Sequence, residues 1–188
     1  MYKRQHHKQQ STRGLIAPEA AQHPILRGIS DGEIWGPTDV YGVRLPLPGD
    51  SKHLIMGQVV NRAGEYDKND PFFGMRDSDT EIATINPASK KEYNPNDPIM
   101  PIAWIKSYQL PEGTAGKSFT TTIGSSTDQS NAAVRRLLVN AAFDLLGMEV
   151  PEAANVDLIG LYNPSPYNFQ DDAHWDSLSL KVADHFIK

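Results

Sequence analysis

The run from Pro98 to Met148 constrains the fold most, because one stretch of chain holds a complete supersecondary unit. Ile99 to Tyr108 is apolar and rich in β-formers, and Pro111 to Gly116 is a Pro/Gly turn. Ser118 to Ile123 then reads as a second strand, closed by Gly124-Ser125-Ser126. A polar bridge leads to a helix over Asn131 to Gly147. Val134, Leu137, Leu138, Ala141, Ala142 and Leu145 fall at i, i+3, i+4, i+7, i+8 and i+11, one apolar stripe. Val139, Phe143 and Leu146 widen the predicted buried face, while Arg135, Arg136 and Asp144 lie off it. Asp128 or Ser130 is placed to cap the N-terminus, and Gly147 to take the left-handed position that ends the helix. Strand, hairpin, strand, loop and helix in this order predict the closing section of an α/β sandwich.

Composition narrows the functional classes. The 188 residues suit one domain of ordinary size. A net charge of −5, with no basic stripe beyond the first ten residues, argues against a nucleic-acid surface. The absence of cysteine removes disulfides, cysteine-ligated metal and a cysteine nucleophile together. No apolar run approaches the ~18 residues of a membrane span. Met1 to Gln10 is basic and polar, without the apolar centre of a secretory signal peptide.

The N-terminal end does not look like the opening of an α/β sandwich. The first apolar pair is Leu15-Ile16, and Met1 to Gln5 looks unrelated to the rest of the chain. Residues 1–10 are therefore set apart, and the chain reads as a fragment. Further along, His23-Pro24-Ile25-Leu26 is a Pro-initiated turn or short helix, with His23 structural. Glu33 to Leu45 reads as short extended pieces and turns, and Leu54 to Val60 as a strand apolar on both faces, hence central. Asn61 to Asp97 is polar and punctuated by Asn-Pro and Asp-Pro steps; it reads as a tolerated insertion in preference to a functional lid. Asn155 to Tyr162 is a candidate final strand, and residues 163–188 a tail wrapping the surface.

The motifs in this order resemble a known family. His23-Pro24-Ile25 followed by Gly28-Ile29, Asp39-Val40-Tyr41, Pro101-Ile102-Ala103-Trp104, the Gly116-Lys117 hairpin, Phe119 to Gly124 and the Arg135-Arg136-Leu137-Leu138 helix look like the trehalose-utilisation, ThuA-like family. The resemblance covers residues 11–162 and is nearest to the branch common in planctomycete-type bacteria. It implies a flavodoxin-like sheet flanked by helices, similar to class I glutamine amidotransferases but without their cysteine. It also implies that the chain is the C-terminal part of such a domain. On that reading the compartment, cytoplasmic or exported, is not legible, because any signal peptide would lie upstream.

Two departures bear on chemistry. Where the family often carries Asp-Glu-x-Tyr, this chain has Asp39-Val40-Tyr41, and where many members have a histidine after the strand-ending glycine, Gly124 is followed by Ser125. A carboxylate and an imidazole are the groups suited to proton transfer near neutral pH. Asp39 remains the one candidate base, with turn capping beside Gly36-Pro37 as its structural alternative. Asp39, Tyr41, Arg44, Ser125 and Ser126 are the residues expected to line a sugar pocket, Arg44 by holding a carboxylate or a hydroxyl cluster. Trp35 and Tyr41 offer faces for a sugar ring, whereas Trp104 sits mid-strand as core.

Other patterns carry less. The six histidines have no metal-ligand spacing, and His174 and His185 among Asp171, Asp172, Asp176 and Asp184 read as a solvated acidic surface. Gly124-Ser125-Ser126 can cradle an anion with its backbone N–H groups, but neither a nucleophile elbow nor a glycine-rich phosphate loop is present. No cofactor and no metal are expected, and a homo-oligomer is compatible with the pattern. Two functional expectations result: a protein of trehalose or oxidised-sugar metabolism, or a non-catalytic sugar-binding or interaction domain of a larger protein.

Overall fold

The computed structural model describes residues 3–89, 92–165, 169–181 and 183. It is a mixed α/β structure built on one five-stranded sheet. The strands are β1 (Gln10–Ile16), β2 (Ile34–Gly36), β3 (Lys52–Asn61), β4 (Met100–Gln109) and β5 (Ala115–Thr121), in the order β2-β1-β3-β4-β5. Two α-helices come after them among the described residues, α1 (Ala132–Leu145) and α2 (Asp172–Leu178).

β3 is central, as its doubly apolar pattern predicts: Leu54, Ile55, Val59 and Val60 are all fully buried. β4 and β5 form the expected hairpin, in register from Ala103 opposite Thr121 to Gln109 opposite Ala115. Every described pairing is antiparallel. A flavodoxin-like sheet is made of parallel strands joined by helical crossovers, so that arrangement is not seen among the described strands. The connections agree with this, since β4 returns directly into β5 and no α-helix separates β1 to β5 among the described residues.

Helix α1 packs a narrower face than its sequence stripe predicts. Ala133, Val134, Leu137, Asn140 and Ala141 are buried, but Leu145 and Leu146 are exposed because the last turn runs past the core. The cap is neither Asp128 nor Ser130. Asn131 takes that place, its side chain accepting from the Val134 N–H at 2.9 Å. Gly147 does adopt the left-handed conformation (φ 69°). Asn140, wholly buried, donates to the Ile25 and Arg27 carbonyls and so fixes the Pro24–Leu26 turn against the helix. His23 is structural there: its Nδ1 accepts from the Ile25 N–H at 3.3 Å.

Arg135 and Arg136 are half-buried and tied to backbone. They donate to the carbonyls of Val156 and Ala154, and Arg136 also to Gly28. This strapping leaves Asn155 to Tyr162 without a strand partner, so the predicted final strand does not form. Beyond it, α2 has no buried residue, and its N-terminus is capped by Asp171. His185 and Asp184 lie outside the described residues, so the acidic grouping read around them is seen only in part.

Two segments set apart on sequence grounds are packed into the domain. Arg4 and Gln5 are buried; Arg4 donates through its guanidinium to the carbonyls of Pro95 and Asp97, both at 2.7 Å. The polar segment 61–97 carries buried Phe73, Met75, Asp79 and Ala83, and buried Arg13 of β1 donates to the Asp79 and Gly32 carbonyls. Backbone groups that β4 leaves unpaired on β3 are met by this segment, as in Ala83 N–H to Val59 O at 3.0 Å. Polar composition concealed this, because the burial is concentrated in a few residues.

Two half-buried histidines make the fold sensitive to mild acid. Burial, the largest cause, holds His7 and His23 below the ordinary 6.5, against the opposing pull of Asp39 and Asp144 respectively. A histidine whose folded pKa is depressed contributes stability that is whole above pH 6.5 and is lost as the pH falls below it. Urea midpoints should therefore drop between pH 7.5 and 5.5, and a His7→Gln/His23→Gln double variant should show a flatter profile. An unchanged slope in the double variant would assign the effect elsewhere.

Candidate functional site

The turn after β2 builds the site. Gly36 lies so close to Asp128 that a β-carbon there would clash with its Oδ1, so only glycine fits. Pro37 is next, and Thr38 to Tyr41 run beside the N-terminal residues. The Arg4 N–H donates to Val40 O and the Val40 N–H to Gln5 Oε1, each at 2.9 Å, with Lys3 bridged to Tyr41. Val40 is fully buried, which turns Asp39 and Tyr41 to the opposite side.

That side is a cleft of about 440 Å³, lined by Lys3, His7, Pro37, Thr38, Asp39, Tyr41, Phe73, Ser125 and Thr127. The volume falls in the range of about 300–1,000 Å³ usual for small-molecule sites. A neighbouring hollow of about 290 Å³ shares Thr38, Tyr41 and Ser125 with it and is lined further by Thr122 and Leu138.

Asp39 is the electrostatic centre. It is 5% exposed, and Lys3 Nζ lies 2.5 Å from its Oδ2. His7 Nδ1 stands 3.9 Å from Oδ1, and that oxygen accepts no hydrogen bond within the protein. A buried carboxylate oxygen without a donor is costly unless a ligand or water meets it. His7 itself is held below its ordinary pKa chiefly by burial, against the opposing pull of Asp39.

The opposite wall is ordered by Asp128, which is wholly buried. Its Oδ2 accepts from the Gly124 and Ser125 N–H groups, both at 2.9 Å, and from the Thr38 hydroxyl. Its Oδ1 receives the Thr38 N–H at 3.3 Å. The backbone cradle read at Gly124-Ser125-Ser126 is therefore filled by the protein's own carboxylate and is not free for an external anion.

Aromatic side chains close the third wall. Phe73 stacks on Tyr66 (ring centroids 5.7 Å apart, planes at 1°) and meets His7 edge-on at 5.1 Å. Its φ of 54° is rare for a bulky residue, and such strain gathers at binding sites. Asp70 holds the turn by accepting from the Phe72 and Gly74 N–H groups and pairing with Arg76 at 2.5 Å.

Of the residues predicted from sequence, Asp39, Tyr41 and Ser125 share the cleft. Ser126 points away, donating to Ser165 O, and Arg44 is outside the lining. Trp35 packs on Phe72 at 4.7 Å and does not line it either. Lys3, His7, Phe73 and Thr127 had no sequence signal: two lie in the segment set apart, one in the supposed insertion, and a threonine in a polar bridge is unremarked. Among the described residues no group of three or more His, Cys, Asp or Glu is placed to hold a metal ion. No described helix is long and apolar enough to cross a membrane.

In comparisons with known proteins, no family model, curated protein or solved structure matches the chain.

Proposed function

We propose that the Asp39 cleft binds a sugar, and that the protein serves carbohydrate metabolism as a ThuA-like domain protein. The observation that carries the binding reading is the buried, unpartnered Oδ1 of Asp39 in a cleft walled by Tyr41, Phe73 and three hydroxyls. A carboxylate that accepts from sugar hydroxyls, beside aromatic faces that cover C–H surfaces, is the chemistry a carbohydrate needs. Tyr41 stands between the two hollows, which gives room for a disaccharide such as trehalose. The finer assignment, an amidotransferase-like domain of flavodoxin type, rests on the sequence motifs alone. The antiparallel sheet lends it no weight.

His7 beside Asp39 supplies an imidazole and a carboxylate in one cleft, the pair suited to general acid–base work on a sugar or oxidised sugar. One observation favours the non-catalytic alternative: Asp39 is already engaged by Lys3 at 2.5 Å. Calorimetric titration with trehalose and with glucose tests the reading. Asp39→Asn should weaken binding by about tenfold to a hundredfold, as expected for a hydrogen bond to a charged group. Equal affinity in the variant would remove Asp39 from the site. Turnover of a bound sugar, lost in His7→Gln, would separate enzyme from binding domain.

A further inference from the structure

Arg62 follows the last residue of β3 and is anchored twice over. Its backbone N–H donates to Gln9 O at 2.9 Å, and its Nε donates to Ser11 Oγ of β1 at 2.5 Å. From this footing Nη1 reaches the Phe73 carbonyl at 3.0 Å. Phe73 is the residue with the strained φ of 54°, and its ring forms part of the cleft wall. Such a backbone persists only where its neighbours over-determine it. Asp70 holds the N–H groups on either side, those of Phe72 and Gly74, and its carbonyl accepts the Phe73 N–H at 2.8 Å. Arg62 secures the remaining group, the Phe73 carbonyl.

We infer that Arg62 is a positioning residue of the cleft: from behind the lining it holds the Phe73 ring where a sugar face would stack, and it sets its charge against Asp39. The inference deepens the sugar-binding reading of the same cleft and rests on it. Arg62 itself does not line the cleft. Its contacts lead there step by step, for Phe73 meets His7 edge-on at 5.1 Å and His7 Nδ1 stands 3.9 Å from Asp39 Oδ1. A ring fixed beforehand spares the ligand the cost of ordering it, which is what a rigid supporting contact contributes to affinity.

The charge of Arg62 is felt in the same place. Its Nη2 is buried and has no hydrogen-bond partner among the described residues, as is true of Asp39 Oδ1. A guanidinium does not shed its proton to escape burial, so its surroundings have to balance it. Burial, the largest cause, holds Arg62 below the ordinary 12.5, while Tyr66 and then Asp39 pull it back up, with smaller help from Asp79 and Asp70. For His7, burial lowers the pKa most and Asp39 raises it; Arg62, Lys3 and His6, in that order, lower it further.

The test uses the full chain, with D-glucose binding read by calorimetry and amide NMR shifts, and the His7 ring titrated by NMR. Arg62→Lys keeps the charge but cannot span Ser11 Oγ and the Phe73 carbonyl together. Glucose should then bind about tenfold more weakly while His7 titrates as in the unmutated chain. Arg62→Met should lose at least as much affinity, and its His7 should titrate at higher pH because a cation has gone. Phe73→Leu should cost about as much as Arg62→Lys, and the double variant no more than Phe73→Leu alone, because both act through one ring. Unchanged glucose affinity in a folded Arg62→Lys variant, or losses that add in the double variant, would overturn the positioning role. An unmoved His7 titration in Arg62→Met would overturn its electrostatic part. Should the variants fail to fold, the Arg62 Nε–H resonance of the unmutated chain decides: it should shift on saturation with glucose, and a stationary resonance would overturn the inference. If glucose shifts no cleft amide in the unmutated chain, the sugar reading itself fails and the inference falls with it.

Discussion

Asp128→Ala should lower the unfolding free energy by about 3–5 kcal/mol, the scale of breaking a buried charged network by removing one partner. Asp128 is fully buried and accepts from three backbone N–H groups, those of Gly124, Ser125 and Thr38, together with the Thr38 hydroxyl. Alanine would strand these donors in a space that water fills poorly. Asp128→Asn should cost less, about 1.5–3 kcal/mol, because one amide oxygen still accepts from Gly124 and Ser125 while the amide nitrogen opposes the Thr38 N–H. Urea unfolding measures both. A loss below about 1 kcal/mol for alanine would show that the junction between the Thr38 turn and the Gly124 loop is held by something else. On the proposed sugar-binding reading, glucose affinity should fall in the alanine variant as well, since Thr38 and Ser125 lose their anchor.

Asn96→Ala should cost about 2–4 kcal/mol, although Asn96 lies in a segment whose composition reads as dispensable. Its Oδ1 accepts from the Val59 N–H at 2.7 Å, and its Nδ2 donates to the carbonyls of Val59 and Ala83 at 2.9 and 2.8 Å. Val59 is fully buried in the central strand, and the pairing of β3 with β4 stops at Gly57 opposite Met100. The amide side chain thus takes the place of a strand where β4 has ended. A surface residue of a tolerated insertion would change stability by no more than about 0.5 kcal/mol, so urea midpoints separate the two descriptions cleanly. A near-neutral Asn96→Ala would return residues 61–97 to the status of an insertion.

Periodicity was informative wherever burial is repetitive along the chain. The stripe through Val134, Leu137 and Ala141 identifies α1, and the doubly apolar run Leu54 to Val60 identifies a central strand, because each is set by contacts that recur at a fixed spacing. The β4–β5 hairpin is legible from its Pro/Gly turn in the same way. Asp39, Tyr41 and Ser125 were reachable as candidates through motif resemblance, and the structure puts them in one cleft. Leu145 lies on the stripe yet is exposed, since the stripe says which face is apolar but not how far the core extends beneath it.

What local pattern leaves open is direction and partnership. The sequence contains no cysteine, and periodicity yields the hairpin, the central strand and the helix, all of which depend on neighbours in the chain. Strand direction depends on which edges meet across long loops, and here every described pair is antiparallel. The site is equally non-local. Lys3 and His7 reach Asp39 because residues 3–5 run beside Val40, and Phe73 arrives from a polar loop held by Asp70. Asp128 reads as a helix cap in sequence and becomes the anchor between the Thr38 turn and the Gly124 loop only when folding brings it against Gly36, with Asn131 free to cap instead. Single side chains that meet across such distances leave no repeating trace, so their meeting is decided by packing alone.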